Sequence, residues 1–389
     1  MIEEKIKSTL AAVKSELLDI SRQMYEHPEL GFQEVLASRL HTEFLERHGF
    51  TVTRQLCGFD TGYRGDFDTG KLGPHVAFLA EFDALPELGH GCGHNLVGAC
   101  ALGAGVALAS VLGELGGSVT VYGAPAEETS GGKVDFVEAG QFSGVDLAIL
   151  CHPGNHWSQS GASLALEPVQ FEFFGRSAHA ASAPEQGVNA LDAALVTMTA
   201  VNALREHVRS DARIHGIVAD GGRAANIVPD YTKVQYYVRA TKKGYLTQLV
   251  ERVKNCGRAG ALATGCEVKI TRFETAYDNM LTNETLSDLF GIVLKEHYGI
   301  EQEPPRETFG STDLGNVSLV CPAIQPIFDI TGDRSIAAHT REMAACTQTP
   351  YAADSMEKAA CAMAMTAARV LSDPACLKAV WEEFKSAEK

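Results

Sequence analysis

A chain of 389 residues that is 45% hydrophobic and 21% charged can build one very large domain or two ordinary ones. Its formal net charge of −16, with no Lys/Arg-rich patch to offset it, excludes nucleic acid and anionic membrane surfaces as expected partners. No apolar run reads as a membrane span, and the charged, helix-periodic start "MIEEKIKSTLAAVKSELL" is unlike a signal peptide, so a cytoplasmic protein is expected.

An amphipathic helix is predicted from about Glu3 to Met24. "HVAFLA" (75–80) is a short apolar run suited to a buried strand. "GHNLVGACALGAGVALASVL" follows as a small-residue helix able to pack closely on a sheet. "SVTVYGA" (118–124) and "DLAILC" (146–151) again read as buried strands. This rhythm predicts a mostly parallel sheet with helices on both faces. A second pattern starts near Pro168. "VQFEFFG" alternates like a half-exposed strand, "GVNALDAALVTMTAVNALREHV" reads as a helix, and "RIHGIVA" and "KVQYYVRA" as strands. A helix over "LTQLVERVKNCGRAGALATG" and a strand over "EVKITRF" complete a β-α-β-β-α-β order. The first style then returns, ending in a long helix around Ala353–Leu371. The expected organisation is a catalytic domain of residues 1–166 and 278–389, with an inserted domain at 167–277.

The polar outliers fall at strand ends. Asp83 follows the strand 75–80, with Cys92 and His94 a few residues on. Glu127 and Glu128 follow the strand 118–124, and His152 follows 146–151. Open α/β sheets bind ligands outside the carboxyl ends of their strands, so three strands deliver acids, imidazoles and a thiol to one edge. Thiolate, imidazole and carboxylate are ordinary zinc ligands, and imidazole with carboxylate also suits manganese. Adjacent carboxylates in "PAEETSGG" suggest a division of labour, one binding metal and the other taking a proton from water. Singly, each group has a blander explanation, such as a solvated helix start for the glutamate pair or a buried inert thiol for Cys92. The ten cysteines are scattered and include no CxxC pair, which removes zinc-ribbon and thioredoxin readings.

Several segments together resemble the M20 family of metallopeptidases and amidohydrolases over nearly the whole chain. They are "EHPELGFQE" (26–34), "AEFDALPELGHGCGHN" (80–95), "PAEETSGGK" (125–133), "CHPG" (151–154), "GRSAHAASAPEQGVNALDA" (175–193), "GGRAANIVPD" (221–230), "GSTDLGNVS" (310–318) and "AAHTRE" (337–342). "GHN" and "GSTDLGNVS" are most similar to the subgroup of p-aminobenzoyl-glutamate hydrolase subunits and β-alanyl-lysine-type dipeptidases. The resemblance implies a zinc-peptidase-like catalytic domain and a ferredoxin-like lid that dimerises. It implies two divalent ions per chain, zinc or manganese, on Cys92, His94, Glu128, His152 and His339, with Cys92 bridging. Glu127 matches the general base and Asp83 the acid that orients a ligand. His90 matches no ligand. In the inserted domain His179 matches a residue that reaches the partner subunit's active site, and Asn226 a substrate-binding position. Thr312 and Asp313 lie in a motif placed near the substrate. Glu81 and Asn95 depart from the commoner Asp, which bears on metal affinity.

The expected activity is hydrolysis of the amide bond of an N-acyl or N-aroyl amino acid, or of a dipeptide, by metal-activated water with Glu127 as general base. Arg239 and Arg334 are candidate partners for a substrate carboxylate. A non-catalytic binding or regulatory protein on the same fold is the alternative, but it would be expected to have lost Glu127 or a ligand, and all six positions are present. A thiol enzyme using Cys92 predicts inactivation by alkylation whether or not metal is added.

Overall fold

The computed structural model describes residues 1–305 and 310–388. It divides into two compact units, one of residues 1–162, 280–305 and 312–388, the other of residues 163–279 with 310–311.

The first unit is built on a six-stranded sheet. Its order is Thr51–Arg54, Tyr63–Asp68, Ser118–Gly123, His75–Ala80, Leu147–Ile149, Ala323–Ile324. The four strands from Ser118–Gly123 to Ala323–Ile324 pair in parallel. The strands Thr51–Arg54 and Tyr63–Asp68 extend one edge antiparallel. Sequence reading missed this pair, because "TVTR" and "YRGDFD" are short and largely polar and lack the continuous apolar run of a central strand.

Alternation sorts the central strands between two cores. Val76, Phe78 and Ala80 face one cluster with Val119, Val121 and Ile149. Ala77 and Leu79 face another with Tyr122, Ala148 and Leu150. The helices Ile2–Glu26, His94–Leu115 and Pro350–Ser372 contribute to the first cluster, and Phe136, Leu314 and Val317 to the second. The fold therefore covers both faces, as the apolar runs require.

The helix His94–Leu115 corrects one expectation. It has a window of mean hydropathy 2.0 and is long and apolar enough to cross a membrane. Yet 89% of that window is buried inside the protein, against Ile2–Glu26 and Pro350–Ser372 among others. Small residues give it an apolar surface without bulk. A Cβ at Gly105 would lie 2.4 Å from Val121 Cγ2, so glycine there lets the helix lie directly on the sheet.

The second unit runs strand Ala165–Phe174, helix Ala190–Leu204, strands Arg213–Asp220 and Tyr231–Ala240, helix Lys243–Thr264, strand Glu267–Thr271. All its pairings are antiparallel, in the order Glu267–Thr271, Ala165–Phe174, Tyr231–Ala240, Arg213–Asp220. Thr232, Val234, Tyr236, Val238 and Ala240 are buried while the residues between them are half-exposed. One face of the sheet thus packs on the two helices.

Candidate active site

Parallel pairing brings the ends of three strands to one edge. Ala80 lies opposite Gly123, and Phe78 opposite Ile149. The chain leaving these strands carries Glu81 and Asp83, Glu127 and Glu128, and His152. Ligand atoms of Cys92, His94 and His152 lie within 4.8 Å of one another, as do those of Cys92, Glu128 and His339, and of His94, Glu127 and Glu128. Cys92, His94, Glu127, Glu128, His152 and His339 are therefore one cluster, although 247 residues of sequence separate Cys92 from His339 (339 − 92).

The loop before His94–Leu115 is tight for a steric reason. Gly93 has φ +81°, and a Cβ there would stand 2.5 Å from Pro153 Cγ. Glycine allows the Cys92 turn to approach the His152 segment, and Cys92 Sγ ends 3.5 Å from His152 Nε2. Two non-glycine residues in or next to the cluster have left-handed backbone. Ala126, at φ +60°, immediately precedes Glu127, and His339 itself has φ +61°. The His339 N–H donates to Gly91 O at 2.9 Å, tying its segment to the cysteine loop.

Hydrogen bonds orient the imidazoles. His94 Nδ1 is 3.0 Å from Asp83 Oδ1 and 3.1 Å from Asp83 O, so its N–H donates there. His152 Nδ1 donates to Pro153 O at 2.8 Å. Both rings then turn Nε2 towards the cluster. The other carboxylate oxygen of Asp83 accepts the Glu128 N–H at 3.0 Å, so one acid fixes two candidate ligands. Burial alone would raise Asp83, but His94 and the Glu128 N–H outweigh it and hold it below the usual range. Burial, then Glu81 and Asp313, push the Glu127 carboxyl well up. Burial pushes the Cys92 thiol up.

The donor set fits divalent ions. His94 Nε2 and Glu128 Oε1 are buried, without a hydrogen-bond partner among the described residues, 3.8 Å apart. Glu128 Oε1 is also 3.6 Å from His339 Nε2. Two ligands on one tetrahedral zinc stand about 3.3–3.7 Å apart, from its ordinary Zn–N, Zn–O and Zn–S bond lengths. The 3.6 Å separation falls in that range and the 3.8 Å one lies just beyond it, and both are too long for charge-assisted hydrogen bonds.

Other positions divide. His90 is buried and lowered to about 3 by burial and then by His94, so it is a neutral core histidine. Asn95 corrects an expectation, since its amide donates to Ser21 Oγ at 2.9 Å and Thr347 Oγ1 at 3.2 Å. It braces helices, and its bearing on the metal loop is through packing. Asp313 is fully buried on Lys133, with Oδ1 2.5 Å from Nζ and Oδ2 accepting the Lys133 N–H at 3.1 Å. Its carboxylate holds the chain together here and faces no open surface. Thr312 Oγ1 accepts the Leu314 N–H at 3.3 Å. Arg334 is exposed and paired with Glu303. In the second unit, Arg239 is half-buried, 3.0 Å from Ser311 Oγ, and burial lowers it. His179 is exposed there, and its Nδ1 accepts the N–H groups of Ala181 and Ser182 at 3.3 and 3.2 Å. That fixes the tautomer with the proton on Nε2. Asn226 O accepts the Ala180 N–H at 3.0 Å, placing Asn226 beside the His179 turn. Sequence reasoning passed over Lys133 and Glu34, although both stand inside the motifs "PAEETSGGK" and "EHPELGFQE".

The fold and cluster are those of a metallopeptidase class, and comparison with known proteins bears this out. The model of "Peptidase family M20/M25/M40" matches residues 63–368. The chain is 38% identical to the Xaa-Arg dipeptidase of Mus musculus, covering 81% of this chain and 76% of that one. It is 34% identical to one of the subunits of the p-aminobenzoyl-glutamate hydrolase of Escherichia coli K12, over 76% of this chain and 65% of that one. A putative aminohydrolase from methicillin-resistant Staphylococcus aureus superposes with TM-score 0.80 at 20% identity, covering 95% of this chain and all of the other. A Bacillus subtilis protein described as a dinuclear metal-binding peptidase of the M20 family superposes with TM-score 0.64 at 19% identity, over 90% and 98%. The chain belongs to peptidase family M20/M25/M40 and is a hydrolase.

Proposed function

We propose that this chain is a metal-dependent hydrolase of the amide bond in an N-acyl or N-aroyl amino acid, or in a dipeptide. The observation that carries the reading is the convergence of Cys92, His94, Glu128, His152 and His339, with buried His94 Nε2 and Glu128 Oε1 unpartnered among them. These residues would hold two divalent ions, zinc or manganese, and the relative described as dinuclear supports the count. Bound ions supply Lewis acidity there, making water acidic and polarising the scissile carbonyl.

Glu127 is the general base. It is next to ligand Glu128 and partly buried, and its carboxyl is held above its ordinary range. A carboxylate placed beside a ligand can take a proton from the attacking water and return it to the leaving amine. Asp83 keeps His94 and the Glu128 backbone fixed meanwhile. The antiparallel second unit, with its β-α-β-β-α-β order, is read as a ferredoxin-like lid through which two chains pair. His179 Nε2–H is the donor it offers to the oxyanion in the partner subunit's site. Asn226 and Arg239 are the lid's candidate substrate contacts and Thr312 that of the catalytic unit, whereas Asp313, buried on Lys133, is withdrawn as one. Arg334 is weakened as a carboxylate anchor by its pairing with Glu303.

The test is a panel of p-aminobenzoyl-glutamate, hippurate, N-acetyl amino acids, Xaa-Arg dipeptides and β-alanyl dipeptides, each assayed with zinc, manganese and cobalt. Turnover of at least one, abolished by chelator and restored by metal, is expected. An active preparation that contains no metal would sink the reading.

A further inference from the structure

Glu81 lies one residue past the strand His75–Ala80, and its side chain is wholly buried. Its two oxygens have different surroundings. Oε1 accepts from Lys133 Nζ at 2.7 Å. Among the described residues Oε2 has no hydrogen-bond partner, and it lies 3.5 Å from His94 Nε2, which is likewise buried and without one. His94 donates through Nδ1 to Asp83, which leaves Nε2 as the ring atom facing Glu81 Oε2. Their separation is longer than the roughly 2.7–2.9 Å of a charge-assisted hydrogen bond. It suits two ligands on one ion, about 3.3–3.7 Å apart.

The charges point the same way. Lys133 holds Glu81 and Asp313 at 2.7 and 2.5 Å, and all three side chains are fully buried. Lys133 places one ammonium between two carboxyl groups, of which burial raises Asp313. Carboxylate oxygens of Glu81, Asp313 and Glu127 also lie within 4.8 Å of one another. Buried negative charge in excess is costly unless a cation or proton accompanies it.

We propose that Glu81 is a further metal-binding side chain, sharing an ion with His94 through Oε2 while Lys133 clamps Oε1 and sets the direction of the carboxylate. The inference rests on the metallohydrolase reading but adds a residue and a clamp to it. Lys133 is a positioning residue, as it touches Glu81 and Asp313 and neither substrate nor ion.

Glu81→Gln is the test. It leaves the Lys133–Asp313 pair neutral and intact, and an amide oxygen can still accept from Lys133, so the chain should fold. Metal content after dialysis and competition titration with a chromophoric chelator give the affinity of each ion. We expect one of the two ions to bind about 100-fold or more weakly, at or beyond the upper end of what outer partners of a metal site contribute. The Co(II) spectrum should change, and the metal-dependent rise in Tm should shrink while the Tm in chelator is nearly unchanged. Unchanged affinities with an unchanged Co(II) spectrum would overturn the proposal, and so would equal losses of Tm with and without metal. If Glu81→Gln does not fold, Glu81→Asp keeps the charge opposite Lys133 and withdraws the carboxylate by one methylene. The same readouts then apply, with weaker binding of one ion expected and unchanged binding overturning it. A wild-type chain that binds no divalent ion fails differently, since that removes the metallohydrolase reading itself.

Discussion

Glu34 Oε1 accepts the backbone N–H of Ala126 at 2.9 Å, one residue before the Glu127–Glu128 pair. Its other oxygen accepts from Thr61 Oγ1 at 2.8 Å, and the side chain is fully buried. Ala126 has φ +60°, a conformation a non-glycine residue holds only when its surroundings fix it. A distant carboxyl thus supports the strained turn that presents the proposed base and a proposed ligand.

Burial raises the Glu34 carboxyl to about 7 from an ordinary 4.5, with Asp83 adding to the rise. A raised acid binds its proton more tightly in the folded chain than in the unfolded one. Its contribution to stability is full below pH 4.5, falls as pH rises towards 7, and is flat above. Such a shift corresponds to about 3 kcal/mol at most. Glu34→Gln mimics the protonated form. Measured in chelator, its Tm relative to wild type should improve between pH 5 and pH 8. A difference independent of pH would show that Glu34 does not titrate in this window.

Glu127→Gln should keep metal and lose rate, by about 10²–10⁴-fold, because it removes only the proton carrier. Glu128→Gln should instead lose metal. Metal analysis beside kcat separates the two, and swapped phenotypes would reverse the assignment within the pair.

Cys92→Ser replaces a soft ligand by a neutral hydroxyl and should weaken metal binding without abolishing it. Competition titration checks this. Alkylation of Cys92 should be slowed by bound metal, and inactivation at the same rate with and without metal would favour the thiol-enzyme reading.

His179→Ala should leave metal content intact and reduce kcat by about 10²–10³-fold, the worth of one oxyanion donor. If His179 acts in the partner's site, exchanging subunits between Glu127→Ala and His179→Ala dimers rebuilds one complete site per mixed dimer. Activity that stays at the level of the separate variants, after exchange is verified by mass spectrometry, would place His179 in cis or outside the reaction.

The sequence by itself determined the central apolar elements and the kind of chemistry, though not the polar edge strands Thr51–Arg54 and Tyr63–Asp68. Short apolar runs such as "HVAFLA" read as buried strands, and the polar residues just after them then sit at the carboxyl edge of a parallel sheet. Cys92, His94, Glu127, Glu128 and His152 were therefore legible as one cluster. His339 was legible only by resemblance, because it follows no predicted strand. Tertiary structure alone decided which polar groups face which. Asn95 looked like a variation in the metal site and is a brace between helices, since direction from a helix N-terminus depends on what packs there. Glu81 looked like a minor departure and points its unpartnered oxygen at His94. Lys133 and Asp313 are 180 residues apart and carry no local pattern that announces a pair. Local periodicity specifies burial and secondary structure, whereas the pairing of buried charges depends on long-range packing that no window of sequence contains.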